Sequence, residues 1–121
     1  MFLATTNKPK RLLHLSFIQH VGVEELQRGN QKLAALLADL PAGIRVLADL
    51  GRLESMDLAC AGEFGKAMEL CDQHGAELVV RVIPDPTKDI GLNILSVFHY
   101  RHRPRVVTCE TMEEAARLLS L

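Results

Sequence analysis

The segment Ala76–Ile83 constrains the fold more than any other stretch. It reads AELVVRVI, β-branched and apolar apart from Glu77 and Arg81. A strand that is apolar on both sides has to be covered on both sides, which is the place of a central strand in a sheet flanked by helices. The flanking chain alternates accordingly. Leu26, Leu33, Leu36, Leu37 and Leu40 draw a helical stripe through Val23–Leu40. Gly29 and Asn30 weaken its first half, and Pro41-Ala42-Gly43 ends it. Ile44–Leu50 reads as a strand closed by Gly51. A helix is expected over Leu58–His74, with Ala61, Phe64, Met68 and Cys71 on one face, Asp57 as N-cap and Gly75 as stop.

Pro84-Asp85-Pro86-Thr87 breaks the central strand and opens another helix, capped by Asp85, with Ile90, Ile94, Val97 and Phe98 as its apolar face. Arg105–Cys109 is a last strand. Thr111-Met112-Glu113-Glu114 has the T-x-x-E capping-box spacing and opens a terminal helix carrying Ala115, Leu118 and Leu119. At the other end, Phe2–Thr5 and the alternating Leu13, Leu15 and Phe17 pair as a hairpin across the Asn7–Lys10 turn. The order β-β-α-β-α-β-α-β-α predicts an α/β fold in which strands joined through helices run parallel. No linker or repeat divides the chain, so residues 1–121 are expected to form one domain.

Composition removes several functional classes. A formal charge of -1 gives no bulk attraction to nucleic acid or to an anionic membrane. Aromatic residues are only 4% of the chain, too few for a base-stacking platform. No apolar run is long enough to cross a bilayer, and the N-terminus lacks a signal-peptide core. Cys60, Cys71 and Cys109 are odd in number and irregular in spacing, which fits reduced thiols and a cytoplasmic location rather than a disulfide framework or a zinc site.

Catalytic patterns are missing as well. The chain contains no G-x-G-x-x-G, G-x-x-x-x-G-K-[ST] or G-x-S-x-G, and its eight glycines are scattered. His14, His20, His74, His99 and His102 show no zinc-ligand spacing, so no metal or other cofactor is expected. One dense cationic stretch, His99–Arg105, offers Arg101, Arg103 and Arg105 as an anion-binding set; its alternative is a solvated loop. Cys60, near a helix start, could be a reactive thiol or a small packed side chain.

The most informative segment is Asp49-Leu50-Gly51-Arg52-Leu53-Glu54-Ser55-Met56-Asp57-Leu58-Ala59-Cys60. Read as a strand–loop–helix junction, it brings amides, a cap and a helix start to one edge, a natural place for recognition. It resembles the junction of the STAS family, the sulfate transporter and anti-sigma factor antagonist domains, whose members typically read D-L-S-G-V-x-F-I-D-[ST]-[ST]-G. The two aspartates match in spacing, and Leu53 and Met56 match in character. Gly75-Ala76-Glu77-Leu78-Val79-Val80 is similar to the family's G-A-x-L-x-L strand, and Thr111-Met112-Glu113-Glu114-Ala115 to its S-x-E-E-A helix start.

The resemblance implies a STAS-like mixed sheet flanked by helices and a non-catalytic module that binds an anti-sigma factor, kinase or scaffold. It also implies a switch, because in anti-sigma factor antagonists a Ser or Thr just after the second aspartate is phosphorylated and the complex breaks. Here those positions are Leu58 and Ala59, and the following Gly is Cys60. Neither Leu nor Ala accepts phosphate. The expected partner-binding surface is Asp49, Ser55, Met56, Asp57, Leu58, Ala59 and Cys60, joined by Asp85, Pro86 and Thr87. Regulation would then pass to a ligand or to oligomerisation, a homodimer included. The competing reading is a small-ligand domain for a nucleotide or lipid, with Arg101, Arg103 and Arg105 as first contacts.

Overall fold

The computed structural model describes residues 1–85 and 99–121. Strands β1 (Phe2–Asn7), β2 (Leu12–Val21), β3 (Arg45–Met56), β4 (Leu78–Val82) and β5 (Arg105–Cys109) lie in that order in one sheet. The β1–β2 pair is the expected hairpin and is antiparallel; β2, β3, β4 and β5 run parallel to one another. Helix α1 (Val23–Ala38) joins β2 to β3, helix α2 (Cys60–Gln73) joins β3 to β4, and helix α3 (Met112–Leu118) follows β5. The helix expected after Asp85 falls within residues 86–98, outside the described residues.

Side-chain alternation along the strands sorts the core into two layers. Leu13, Leu15, Phe17, Val46 and Val79 face α1 and α2 and meet Leu26, Leu33, Leu37, Phe64 and Met68. Leu12, Leu47, Val80, Val82 and Cys109 face the other way, toward Ala115 and Leu119 at the α3 end of the chain. β4 is therefore apolar on both sides, as its sequence requires, and Thr111 caps α3 by accepting the Glu114 N–H at 3.2 Å.

The two residues that weaken α1 as a helix have packing roles. Phe2 lies against Gly29, where a Cβ would come within 2.2 Å of its ring. Phe17 meets both Phe2, tilted at 5.0 Å between centroids, and Phe64, stacked at 4.9 Å. Gly29 thus lets the hairpin close onto the helix layer. Asn30 links α1 to α2 by donating to the Glu63 carbonyl at 2.8 Å and to the Glu63 carboxylate at 3.1 Å.

Two glycine turns meet where β3 and β4 begin. Gly43 and Gly75 have φ of 82° and 78°, and a Cβ on Gly75 would stand 3.1 Å from the Gly43 nitrogen. Gly75→Ala should therefore lower unfolding stability by about 1–3 kcal/mol, since it places a side chain in the left-handed region against backbone. A urea melt coinciding with wild type would exclude this.

Glu63 supplies a pH dependence. The Lys66 ammonium, 2.9 Å from Oε1, is the main reason its carboxyl sits below the ordinary range, helped by Asn30 and opposed by burial. A carboxyl with a depressed native pKa stabilises the fold above the unfolded value of about 4.3 and loses that contribution as pH falls through the native one. Wild type should thus lose stability below about pH 4.3 more steeply than Glu63→Gln; parallel pH profiles would refute the assignment.

Candidate functional site

Parallel strands bring successive helix starts to one edge of the sheet. β2 ends at Val21 and α1 begins at Val23; β3 ends at Met56 and α2 begins at Cys60; Asp85 follows β4 beyond the same ends. β3 does not stop at this edge. Its pairing with β4 ends at Asp49↔Val82, while its pairing with β2 continues to Val21↔Met56. The segment expected as a loop after Gly51 is therefore strand, a two-stranded extension of β2 and β3. Two irregularities in register each insert an extra residue on the β3 side, between Asp49 and Arg52 and between Leu53 and Ser55. Such bulges break the period-two pattern, and Gly51 sits at the first of them.

This extension separates the two aspartates. Eight residues of strand span roughly 20–26 Å, so Asp49 and Asp57 do not belong to one compact site. Asp49 is buried, its Oδ1 accepts the Gly51 N–H at 2.9 Å, and the Arg52 guanidinium lies 3.9 Å from Oδ2. Met56 and Leu53 are half-buried against the core.

Asp57 does not cap α2. The N-cap residue is Ala59, without a side-chain bond, and Asp57 contributes its backbone carbonyl, which accepts the Cys60 N–H at 2.9 Å. The start of the helix is instead a turn over Asp57, Leu58 and Ala59, which leaves the Asp57 carboxylate for another partner. That partner is His20, whose Nε2 is 3.3 Å from Asp57 Oδ1 and whose Nδ1 is hydrogen-bonded to Ser55 Oγ at 2.8 Å. The Asp57 N–H donates to Val21 O at 3.3 Å, fastening the turn to the end of β2. Nothing in the local sequence marks His20 for this role, since it lies 35 residues before Ser55 and meets it only through the β2–β3 pairing.

The turn exposes Ser55, Asp57, Leu58 and Ala59 together, and Leu58 has 97% of its surface in solvent. Cys60 points inward; it is fully buried and its thiol donates to Val21 O at 3.6 Å. Ala61, expected on the buried face of α2, is exposed, and Glu63 and Ala67 take up that face with Phe64. Asp85 is exposed at the same edge, and Pro86 and Thr87 lie outside the described residues.

The cationic stretch is a loop anchored by acids. Buried Asp72 accepts the Arg101 and His102 N–H groups at 3.2 and 3.1 Å and His102 Nδ1 at 2.8 Å. His99 Nδ1 donates to Glu69 at 2.7 Å. Both histidines of the stretch are thus paired with carboxylates, while Arg101, Arg103 and Arg105 are exposed. Of the remaining histidines, His74 donates to Leu40 O at 2.7 Å and His14 is hydrogen-bonded to Ser16 at 3.3 Å. Among the described residues, no three His, Cys, Asp or Glu side chains gather as a metal site, and no helix is long and apolar enough to cross a membrane.

No family model and no curated protein matches the chain. Solved structures do. The anti-sigma factor antagonist SpoIIAA in its unphosphorylated form is 15% identical, with a TM-score of 0.66 over 99% of this chain and 98% of that one. An uncharacterized protein from Shewanella loihica, described as having a SpoIIAA-like fold, is 15% identical, with a TM-score of 0.72 over 98% of this chain and 92% of that one. An anti-sigma factor antagonist from Mycobacterium paratuberculosis is 16% identical, with a TM-score of 0.61 over 100% of this chain and 94% of that one. The chain therefore has the SpoIIAA-like, STAS-type fold, a mixed five-stranded sheet flanked by helices.

Burial first, and then the nearby Asp57 charge, push the Cys60 thiol above its usual range. A thiol reagent at neutral pH should therefore modify Cys60 in the native protein at least about 100-fold more slowly than in urea, because a thiol must be both ionised and reached. Equal rates in the two states would contradict this placement.

Proposed function

We propose that this chain is a non-catalytic regulatory module that docks a protein partner through the turn Asp57–Ala59. The observation that carries the reading is the exposure of Leu58. A leucine with 97% of its surface in water contributes nothing to the core and sits at the start of a helix, beside a carboxylate. An apolar anchor with a polar rim is the usual form of an interface hot spot. The structural neighbours named as anti-sigma factor antagonists support an anti-sigma factor as the class of partner; a kinase or a scaffold is the wider reading that the family resemblance implies.

Control at this turn would differ from a phosphate switch. Leu58 and Ala59 offer no hydroxyl, and the nearest one along the chain, on Ser55, is already bonded to His20. The turn is also held from several directions, by Val21 O, by His20 and by the buried Cys60 thiol. A preorganised surface of this kind binds with little ordering cost, which fits docking that phosphorylation at these positions does not interrupt.

The test compares wild type with Leu58→Asp in affinity capture from the native cells, followed by titration against the recovered protein. The variant should melt like wild type, because Leu58 packs against nothing, and should lose at least about tenfold in affinity, or ~1.4 kcal/mol. A recovered partner that binds both forms equally would refute docking through this turn.

A further inference from the structure

β1 is an edge of the sheet, and among the described residues no strand pairs with its outer side. Its register tells which backbone groups point outward. Met1 and Ile18 exchange two hydrogen bonds, at 2.5 and 2.8 Å. In an antiparallel pair such residues alternate with ones whose N–H and C=O face away from the neighbouring strand. Leu3, Thr5 and Asn7 therefore bond to β2, and the N–H and C=O groups of Phe2, Ala4 and Thr6 face outward.

An open row of this kind is a template for another strand, and proteins usually block it with charge, proline or a bulge. β1 uses none of these. It reads FLATTN, without a charge, and its pairing with β2 is regular. β5, the opposite edge, begins on Arg105. Phe2 and Ala4 pack toward the helix layer, so Leu3 stands on the other face of the sheet, where it is 48% exposed.

Charge at the two ends of β1 selects what can pair with it. The Met1 ammonium lies 3.1 Å from Glu25, which puts the acidic first turn of α1, Glu24 and Glu25, at the start of the strand. Lys8 and Lys10 follow its end, with Asp39 3.6 Å from Lys8. A strand of the same sequence laid antiparallel brings each basic turn beside an acidic helix start. Laid parallel, it would bring like charges together.

We propose that β1 pairs antiparallel with β1 of a second copy of this chain, about a twofold axis at Ala4. In this register Ala4 faces Ala4 and Phe2 faces Thr6 of the second copy, so every outward N–H and C=O of the three residues is paired. Exposed Leu3 packs on Thr5 of the second copy, and the two sheets become one. This surface is separate from the Asp57–Ala59 turn and does not depend on the docking reading.

The test is sedimentation equilibrium of the full chain from about 10 µM to 1 mM, the range expected of a small interface. Wild type should pass reversibly from monomer to dimer. Leu3→Lys combined with Thr5→Lys sets like charges directly opposite each other and should weaken the dimer at least about tenfold. Leu3→Lys combined with Thr5→Glu makes the same positions opposite in charge and should recover at least about threefold of that loss. Both positions are exposed, so both variants should melt like wild type. A wild type still monomeric at about 1 mM, a dimer that the paired lysine changes leave intact, or a loss that the Thr5→Glu exchange does not recover would each overturn the proposal.

Discussion

The parallel pairing of β2 with β3 is the constraint on which the other features rest. It runs the full length of β2, from Leu12↔Arg45 to Val21↔Met56. Side chains alternate across a sheet, so a one-residue slip would turn Leu13, Leu15 and Phe17 out of the helix-covered layer. The same pairing carries β3 past the end of β4 and sets the Asp57–Ala59 turn beyond the sheet, braced on Val21 and His20. Fold and candidate surface therefore share one ladder of hydrogen bonds.

The helices are fitted to that ladder at the expense of their own propensity. Gly29 makes room for Phe2, and Gly65 makes room for the His99 ring, which would lie 2.5 Å from a Cβ there. Each glycine costs about 1 kcal/mol of helix propensity relative to Ala. In return, Phe17 and Phe64 are buried with half-buried Phe2 packed against them, and truncating a buried Phe typically costs about 3–5 kcal/mol. Packing thus outweighs local preference at these positions.

The two polar features of the helix layer differ in kind. Asp72 accepts three hydrogen bonds and holds the loop after His99 against α2. Asn30 is satisfied only at its nitrogen. The first arrangement is complete within the fold. The second leaves one buried acceptor unpaired.

The sequence by itself determined the elements and their class. Periodicity is local, so the apolar β4, the leucine stripe of α1, the Thr111 cap and the N-terminal hairpin were legible in runs of a few residues, and the Asp57-Leu58-Ala59 positions stood out by motif. The tertiary structure decided the rest. It made the 51–56 segment a strand, because bulges erase the alternation that marks strands while the partner strand still satisfies the backbone. It turned Cys60 and Asp49 inward and left Leu58 in water. It joined His20 to Asp57 and Asn30 to Glu63 across 37 and 33 residues, contacts that follow from register and helix packing and leave no trace in the neighbouring sequence.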